Sequence, residues 1–263
     1  MSGRESFPDE ELRRRIMDFI MAAGQTLLEN GAEVFRVEQT MEIMARSFHL
    51  REFHVYVLTN GIFASAGTAE ISEVRNVPVR TTHLGRLAAV NALSREIAQT
   101  SMTLDEAECR LAEAQRIPFP KDWVQLISGL GGAFCFAMIF GGTLRSALAA
   151  AAAGFVASGY LLLCERHGLP GGFKKISCAA LITLVCILLC QVLRTSASQA
   201  IIGTLMILTP GIAFTMGIRD FVHSDYLSGT IRMIDALLVA ASIAIGTGLV
   251  LSLFTMLTGV VVA

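Results

Sequence analysis

Hydrophobic positions in the first part of the chain recur at helical spacing in two successive segments. In the first, PDEELRRRIMDFIMAAGQTLLEN, Pro8 suits a first helical turn and Gly31 follows as a natural helix end. The apolar positions of its expected buried face are Leu12, Ile16, Phe19, Ile20 and Leu27. In the second segment, AEVFRVEQTMEIMARSF, the corresponding stripe is Val34, Val37, Met41 and Met44. The pattern therefore predicts two amphipathic helices.

The spacing then changes to short runs typical of β-strands. EFHVYVL ends at the turn signal TNG, and IFASAG and EISEVRNV follow it. Two further helices are predicted over THLGRLAAVNALSREIAQ and LDEAECRLAEAQ, the second with Thr103 and Glu106 at the spacing of a capping box. IPFP then forms a rigid linker. Residues 1–120 are therefore predicted to form a small α+β domain.

Long uncharged segments dominate the remainder of the chain. Of the 43 Asp, Glu, Lys and Arg residues, 32 lie in 1–122 and 11 in 123–263. Because about 20 apolar residues cross a bilayer as a helix, residues 121–263 are predicted to form a transmembrane domain of five spans. These spans lie near 123–144, 146–164, 176–193, 195–218 and 233–260. The expected fold is an α-helical membrane protein, a five-span bundle preceded by a small cytoplasmic α+β domain.

The loop charges predict an orientation. The first residues are polar and do not resemble a signal peptide, which favours a cytoplasmic N-terminus. The inner loops would then hold six basic residues against two outside, Arg145 and Arg194, in accord with the positive-inside rule. The six are Lys121, Arg166, Lys174, Lys175, Arg219 and Arg232. This arrangement places the C-terminus on the outer side of the membrane.

Composition argues against several kinds of function. The chain is 53% hydrophobic and 16% charged, with a net charge of −1 and no long basic run, so nucleic-acid binding is not expected. Its six cysteines lack metal-type spacing, and no nucleophile motif or phosphate loop is present. Neither a catalytic residue, a metal site nor a cofactor is predicted.

The stretch LTPGIAFTMGIRDFVHSDYLSGTIRMIDALL interrupts the apolar pattern. Pro210 lacks a backbone donor, so the fourth span is predicted to kink or break there, with Gly211 adding freedom. Arg232 and Asp235 lie three residues apart and could pair on one helix face. An acid such as Asp235 at the membrane boundary is a candidate for substrate or proton contact, although a structural clasp with Arg232 remains an alternative.

Two sequence blocks resemble the bacterial threonine/serine exporter family. The block just quoted has a Pro-Gly, an Arg-Asp, an acid, a Ser-Gly and an Arg before the last span. LLENGAEVFRVEQTM, with GIFAS and VRNVP after it, resembles the N-terminal domain of the same family. The resemblance covers nearly the whole chain, and the two blocks lie at the expected separation.

The resemblance implies a proton-motive-force-driven exporter of small hydrophilic amino acids, not an enzyme. Its implied substrate or ion pathway contains Pro210, Gly211, Arg219, Asp220, Asp225, Ser228, Gly229, Arg232 and Asp235. The cytoplasmic residues that it implies for gating or regulation are Gly31, Arg36 and Glu38.

Five spans correspond to half of a single-chain member of that family. The chain therefore resembles the larger subunit of the split, two-component form, which would require a second, smaller membrane subunit and oligomerisation. The alternatives left open are a dicarboxylate exporter of the succinate type, a membrane-anchored enzyme acting through the N-terminal domain, and a scaffold subunit with no pathway of its own.

Overall fold

The computed structural model describes residues 7–67, 71–77 and 81–259, and the chain divides into two compact units. The first unit is formed by Met1–Phe119 together with Met216–Arg232. The second is formed by Pro120–Thr215 together with Met233–Ala263. Residues 216–232 thus belong with the N-terminal residues, a grouping that the hydrophobic pattern did not predict.

The N-terminal part of the first unit follows the predicted order of two helices, three strands and two helices. These elements are α1 (Phe7–Glu29), α2 (Val34–Ser47), β1 (His54–Leu58), β2 (Gly61–Ala66), β3 (Ile71–Asn76), α3 (Leu84–Gln99) and α4 (Leu104–Gln115). At the start of α4 the Thr103 hydroxyl accepts a hydrogen bond from the Glu106 N–H, as the capping spacing predicted. An α+β arrangement is therefore present in this part of the chain.

The three strands form an antiparallel sheet in the order β1-β2-β3. Leu58 pairs with Gly61, so the turn predicted from TNG closes the first hairpin tightly. Alternation places Val57 and Ile62, which are directly paired, in the core, while Tyr56 and Phe63 are exposed. The sheet therefore contributes one apolar face to the first unit.

The core of the first unit contains the predicted stripes of α1 and α2. Ile16, Phe19, Ile20 and Leu27 of α1 are buried, and so are all four positions of the α2 stripe. Leu12 is the exception: its predicted burial is wrong, because 47% of the residue is exposed.

Gly31 shapes the turn between α1 and α2. It has φ +91, and the Ala32 N–H donates to the Leu27 carbonyl, as in a Schellman helix end. A Cβ at Gly31 would lie 3.0 Å from the Thr81 carbonyl oxygen. The left-handed backbone and this close approach both require glycine.

The second unit is helical. It contains α5 (Asp122–Ile139), α6 (Leu144–Arg166), α7 (Gly171–Leu193) and α8 (Ser198–Leu205), with the first residues of α9 (Gly211–Val222) and most of α10 (Tyr226–Thr258). Within the described ranges, four helices are long and apolar enough to cross a membrane, namely α5, α6, α7 and α10. The chain is therefore a helical membrane protein, and the finer count of five spans is not confirmed.

The segment predicted as the fourth span is divided into α8 and α9. Helix α8 ends at Leu205 and α9 begins at Gly211, directly after Pro210. The predicted break is thus confirmed, because proline cannot donate its backbone hydrogen bond within a continuous helix. Neither piece is by itself as long as the roughly 20 residues that span the hydrocarbon core.

Small residues allow α5 and α6 to pack closely. Gly129 of α5 faces Gly154 and Ser158 of α6, and a Cβ on Gly154 would overlap the Gly129 carbonyl oxygen. Much of the surrounding core consists of fully buried alanines of α6, Ala147, Ala150 and Ala157 among them. Van der Waals packing of small faces is the main attraction between helices in lipid.

Substituting Gly154 by alanine should therefore destabilise the membrane unit by about 1–3 kcal/mol, because the added methyl forces α5 and α6 apart. Gly159→Ala is the matched control on the same helix, since its Cβ meets only an ordinary contact with Leu126. Thermal unfolding of the full chain in detergent would compare the two. An equal effect of both substitutions would contradict the close-packing account.

Candidate functional site

A tight turn joins α9 to α10 within the first unit. Ser224 has φ 65, and the Asp225 N–H donates to the Asp220 carbonyl oxygen, which closes a Schellman motif without glycine. The Asp225 carboxylate then accepts from the Ser228 N–H at 3.3 Å and caps α10. The predicted pathway residue Asp225 thus has a structural role in starting the helix.

Gly229 permits the two helices of this hairpin to touch. A Cβ at Gly229 would lie 2.7 Å from the Phe221 ring and 3.0 Å from the Gly217 carbonyl oxygen. Beside it the Ser228 side chain is fully buried, and within the described ranges its hydroxyl has no hydrogen-bond partner. The Ser-Gly pair therefore lies in the contact between α9 and α10.

Arg232 and Asp220 form a buried ion pair across the hairpin. The Arg232 Nε lies 3.0 Å from Asp220 Oδ2, with side-chain exposures of only 9% and 4%. Burial raises the pKa of the Asp220 carboxyl, and the positive charge of Arg232 acts in the opposite direction. The ionised form of Asp220 therefore depends on Arg232. The sequence suggested Asp235 as a partner of Arg232, and the structure identifies Asp220 as a partner that the sequence did not suggest.

The same hairpin contacts the turn between α1 and α2. Arg232 Nη2 donates to the Ala32 carbonyl oxygen at 3.1 Å, and the bond is buried. Arg219 pairs with Glu33, the residue just before α2. The rings of Phe35 and His223 stack with centroids 4.8 Å apart. Three kinds of contact therefore join sequence blocks that lie about 190 residues apart, as the separation of 186 between Glu33 and Arg219 illustrates.

Glu38 lies on α2, in the same unit. Its carboxylate accepts a hydrogen bond from the Val57 N–H at 2.9 Å. Partial burial raises the pKa of Glu38, the bond from Val57 opposes that shift, and the negative charges of Asp225 and Glu42 add to it. Glu38 therefore holds its proton more tightly than an exposed glutamate.

We call this set of residues the hairpin cluster. It consists of Gly31, Ala32, Glu33, Phe35, Arg36 and Glu38 from the N-terminal block, and Arg219, Asp220, His223, Asp225, Ser228, Gly229 and Arg232 from the hairpin. Arg36 is an exposed member of the cluster, with its Nε 3.9 Å from Glu33 and the side chain 61% exposed.

The other predicted pathway residues belong to the second unit. Pro210 and Asp235 line an open pocket of about 420 Å³, and Gly211 begins α9 next to Pro210. Lys175, Gly171 and Ser242 also line this pocket. Among the lining residues in the described part of the chain, Lys175 and Asp235 are the charged ones. We call this the membrane pocket.

Sequence reasoning missed several members of both sites. Glu33 forms an ion pair with Arg219, and His223 stacks on Phe35. The sequence motifs of the two blocks single out neither Glu33 nor His223. Glu33 precedes Arg36 by three residues, a spacing that could have identified it. Lys175 was read only as a loop charge for orientation. In the described ranges, no group of three or more His, Cys, Asp or Glu residues could hold a metal ion.

Comparisons with known proteins agree with the two blocks. Residues 18–254 match the family model ThrE, whose description is "Putative threonine/serine exporter". The chain is also similar to a "Probable threonine/serine exporter" of Mycobacterium tuberculosis, at 25% identity over 243 residues. That alignment covers 90% of this chain and 46% of the relative, so the chain spans about half of the relative's length. No solved structure matches the chain.

Removing the charge of Arg232 should leave Asp220 buried without its ion pair. Arg232→Gln is expected to lower the free energy of unfolding by about 3–5 kcal/mol. Adding Asp220→Asn in the same chain should restore much of that loss, because the uncompensated charge is removed. Thermal unfolding of the single and double variants in detergent measures both effects. Additive losses in the double variant would contradict the ion-pair account.

Glu38→Gln should change how stability depends on pH. Because the pKa of Glu38 is raised above its ordinary value of 4.5 in the folded chain, its contribution to stability falls as pH rises through that range. The variant, whose amide oxygen can still accept from Val57, should therefore gain stability relative to the parent as the pH rises above this ordinary value.

The matched control for this pH dependence is Glu113→Gln on α4, an exposed glutamate that is not among the charges acting on Glu38. Its unfolding midpoint should follow the parent at each pH. A Glu38→Gln variant whose midpoint also stays parallel to the parent across this range would refute the raised pKa.

Proposed function

The chain belongs to the threonine/serine exporter family, and from that premise we propose that it is one membrane half of a secondary exporter of small hydrophilic amino acids. The observation that carries this proposal is the hairpin cluster. It joins the two sequence blocks of the family by a buried hydrogen bond from Arg232, which also pairs with Asp220, in the first turns of the last membrane helix. Buried charges at such a position are costly and are typically retained for function.

We assign different roles to the two groups of polar residues. The membrane pocket, with Pro210, Gly211 and Asp235, forms part of the substrate pathway, and α8 and α9 together act as one discontinuous span. Breaks of this kind line substrate sites in many transporters, because helix ends and free backbone groups can contact charged substrates. This assignment gives the domain five spans.

The hairpin cluster would then act as the gate. Arg219, Asp220 and Arg232 hold the hairpin to the turn at Gly31, and Asp225, Ser228 and Gly229 set its geometry. Arg36 and Glu38 lie at the edge of the same contact. Breaking these ion pairs would release the start of α10, whereas forming them would fix it. Two carboxyl groups with raised pKa, Glu38 and Asp220, are suited to respond to protons, which supports coupling to the proton motive force.

We further propose a bacterial inner-membrane location with the N-terminal domain in the cytoplasm. The distribution of basic loop residues supports this orientation. A second, smaller membrane subunit would complete the pathway. The greater length of the Mycobacterium tuberculosis relative supports a second membrane half. The exposure of α10 supports it as well: in the most apolar 18-residue stretch of each helix, 6% of the α10 residues are buried, compared with 50% in α6.

Efflux from loaded cells tests this function. Cells lacking their own exporters would be loaded with threonine or succinate and would express the chain alone or with the candidate smaller subunit. We expect threonine efflux only when both chains are present, with loss of efflux after a protonophore collapses the proton gradient.

Two controls make the efflux experiment decisive. Both proteins are verified in the membrane by immunoblot, and a Glu10→Gln variant, altered at an exposed helix charge far from either site in the sequence, should export like the parent. Efflux of succinate alone would replace the amino-acid assignment by dicarboxylate export. Efflux of neither compound with both chains present would contradict the proposal.

A further inference from the structure

Resting on the proposed export function, we propose that the membrane pocket binds the zwitterionic backbone of a free amino acid, with its carboxylate at Lys175 and its ammonium at Asp235. Lys175 has no role among the residues that the family resemblance implied. Lys175 lines one pocket together with Asp235, the acid at the membrane boundary, and this proximity is seen only in the structure.

The charges of the pocket match those of a zwitterion. Lys175 contributes one positive charge and Asp235 one negative charge, and the remaining lining residues of the described pocket are uncharged. The Asp235 carboxylate also acts electrostatically on the Lys175 ammonium. An α-amino acid carries one charge of each sign. A dicarboxylate would place a second negative charge near Asp235, and the two negative charges would repel each other.

Backbone groups strengthen the positive end of the pocket. Gly171 and Gly172 are the first two residues of α7, and the preceding Pro170 provides no side-chain cap. An added Cβ at either glycine would meet no atom within 4 Å, so the backbone there is open to approach. The free N–H groups of a helix start favour a carboxylate. The N–H groups of Gly171 and Gly172 lie one turn from Lys175, so the helix start and the lysine both favour binding of the substrate carboxylate.

The rest of the lining suits a small hydroxylated side chain. The pocket volume of about 420 Å³ is near the lower end of the roughly 300–1,000 Å³ of small-molecule sites. The Ser242 hydroxyl donates to the Leu238 carbonyl at 2.8 Å, which leaves its oxygen able to accept a bond from a substrate hydroxyl. Leu238 and Val239 provide apolar contact for a methyl group.

Substrate analogues test the two charged contacts separately. Proteoliposomes containing the complete exporter would exchange labelled threonine against an unlabelled competitor. Serine should compete. Threoninol, which lacks the carboxylate, and 3-hydroxybutyrate, which lacks the ammonium, should each compete at least about tenfold less well, because each leaves one charged contact unmade. Competition by either analogue equal to that of serine would overturn the zwitterion assignment.

Variants of the pocket assign each contact to a residue. Lys175→Gln and Asp235→Asn should each raise the KM for threonine by about tenfold or more. The matched control is Lys174→Gln, on the neighbouring position of α7, where the lysine instead pairs with Glu165 at 3.6 Å. It should change the KM by less than about twofold. An unchanged KM in both pocket variants would overturn the proposal.

A labelling experiment guards against variants that fail to fold. Ala213 lines the pocket without carrying charge, so Ala213→Cys would be introduced after the exposed Cys109 and Cys135 are replaced by serine. Threonine should slow maleimide labelling of this cysteine and leave a cysteine at the exposed position Val222 unaffected. Equal labelling with and without threonine, in an exporter that still transports threonine, would contradict this site and leave the export function intact. An exporter that transports no threonine at all would instead contradict the proposed function.

Discussion

Arg232 is the residue on which the contact between the α9–α10 hairpin and the α1–α2 turn depends. Its guanidinium neutralises a carboxylate that is 4% exposed and also donates a buried hydrogen bond to the Ala32 carbonyl. A single side chain therefore ties together the two helices of the hairpin and the turn at Gly31. Because a buried charge without its partner is far costlier than either charge on the surface, the hairpin and the turn are stable together and much less stable apart. The remaining contacts, Arg219 with Glu33 and Phe35 with His223, follow from the position that this pair sets.

Two charged residues of α10, Arg232 and Asp235, lie within one helical turn but belong to different sites. Arg232 is the last residue of the first unit, whereas Asp235 belongs to the second and lines its pocket. The helix thus begins among ion pairs and continues as an apolar segment, with Asp235 at the transition.

Small residues allow close helix packing in each unit: Gly229 leaves room for the Phe221 ring in the hairpin, and Gly154 allows α5 to approach α6 in the membrane bundle. In both places, the absence of a side chain determines how closely two helices approach.

Local signals in the sequence predicted much of this structure. The bounds of α4, the cap at Thr103 and the break at Pro210 depend on neighbouring residues, and all three are confirmed. The pairing of Arg232 with Asp220 was missed because it depends on a reversal of the chain at Ser224, a non-glycine residue with positive φ that no turn motif announces. Glu33 and Lys175 were missed because the residues near them in the structure, Arg219 and Asp235, lie far along the chain. Leu12 is apolar and lies at the helical spacing of the buried face, yet it is exposed. Helical spacing alone therefore does not ensure that every apolar position packs against another element.

The most direct test of the account is cross-linking between the α1–α2 turn and the hairpin in the membrane-embedded full chain. Phe35→Cys and His223→Cys would be combined after Cys109 and Cys135 are replaced, and treated with a short bifunctional maleimide. We predict an intramolecular cross-link, identified by mass spectrometry, because the two rings stack at 4.8 Å. The control pair joins His223→Cys to Ser47→Cys, at the other end of α2 and roughly 18 Å from Phe35 along the helix. No cross-link at Phe35, or an equal one at Ser47, would contradict the docking of the hairpin on this turn.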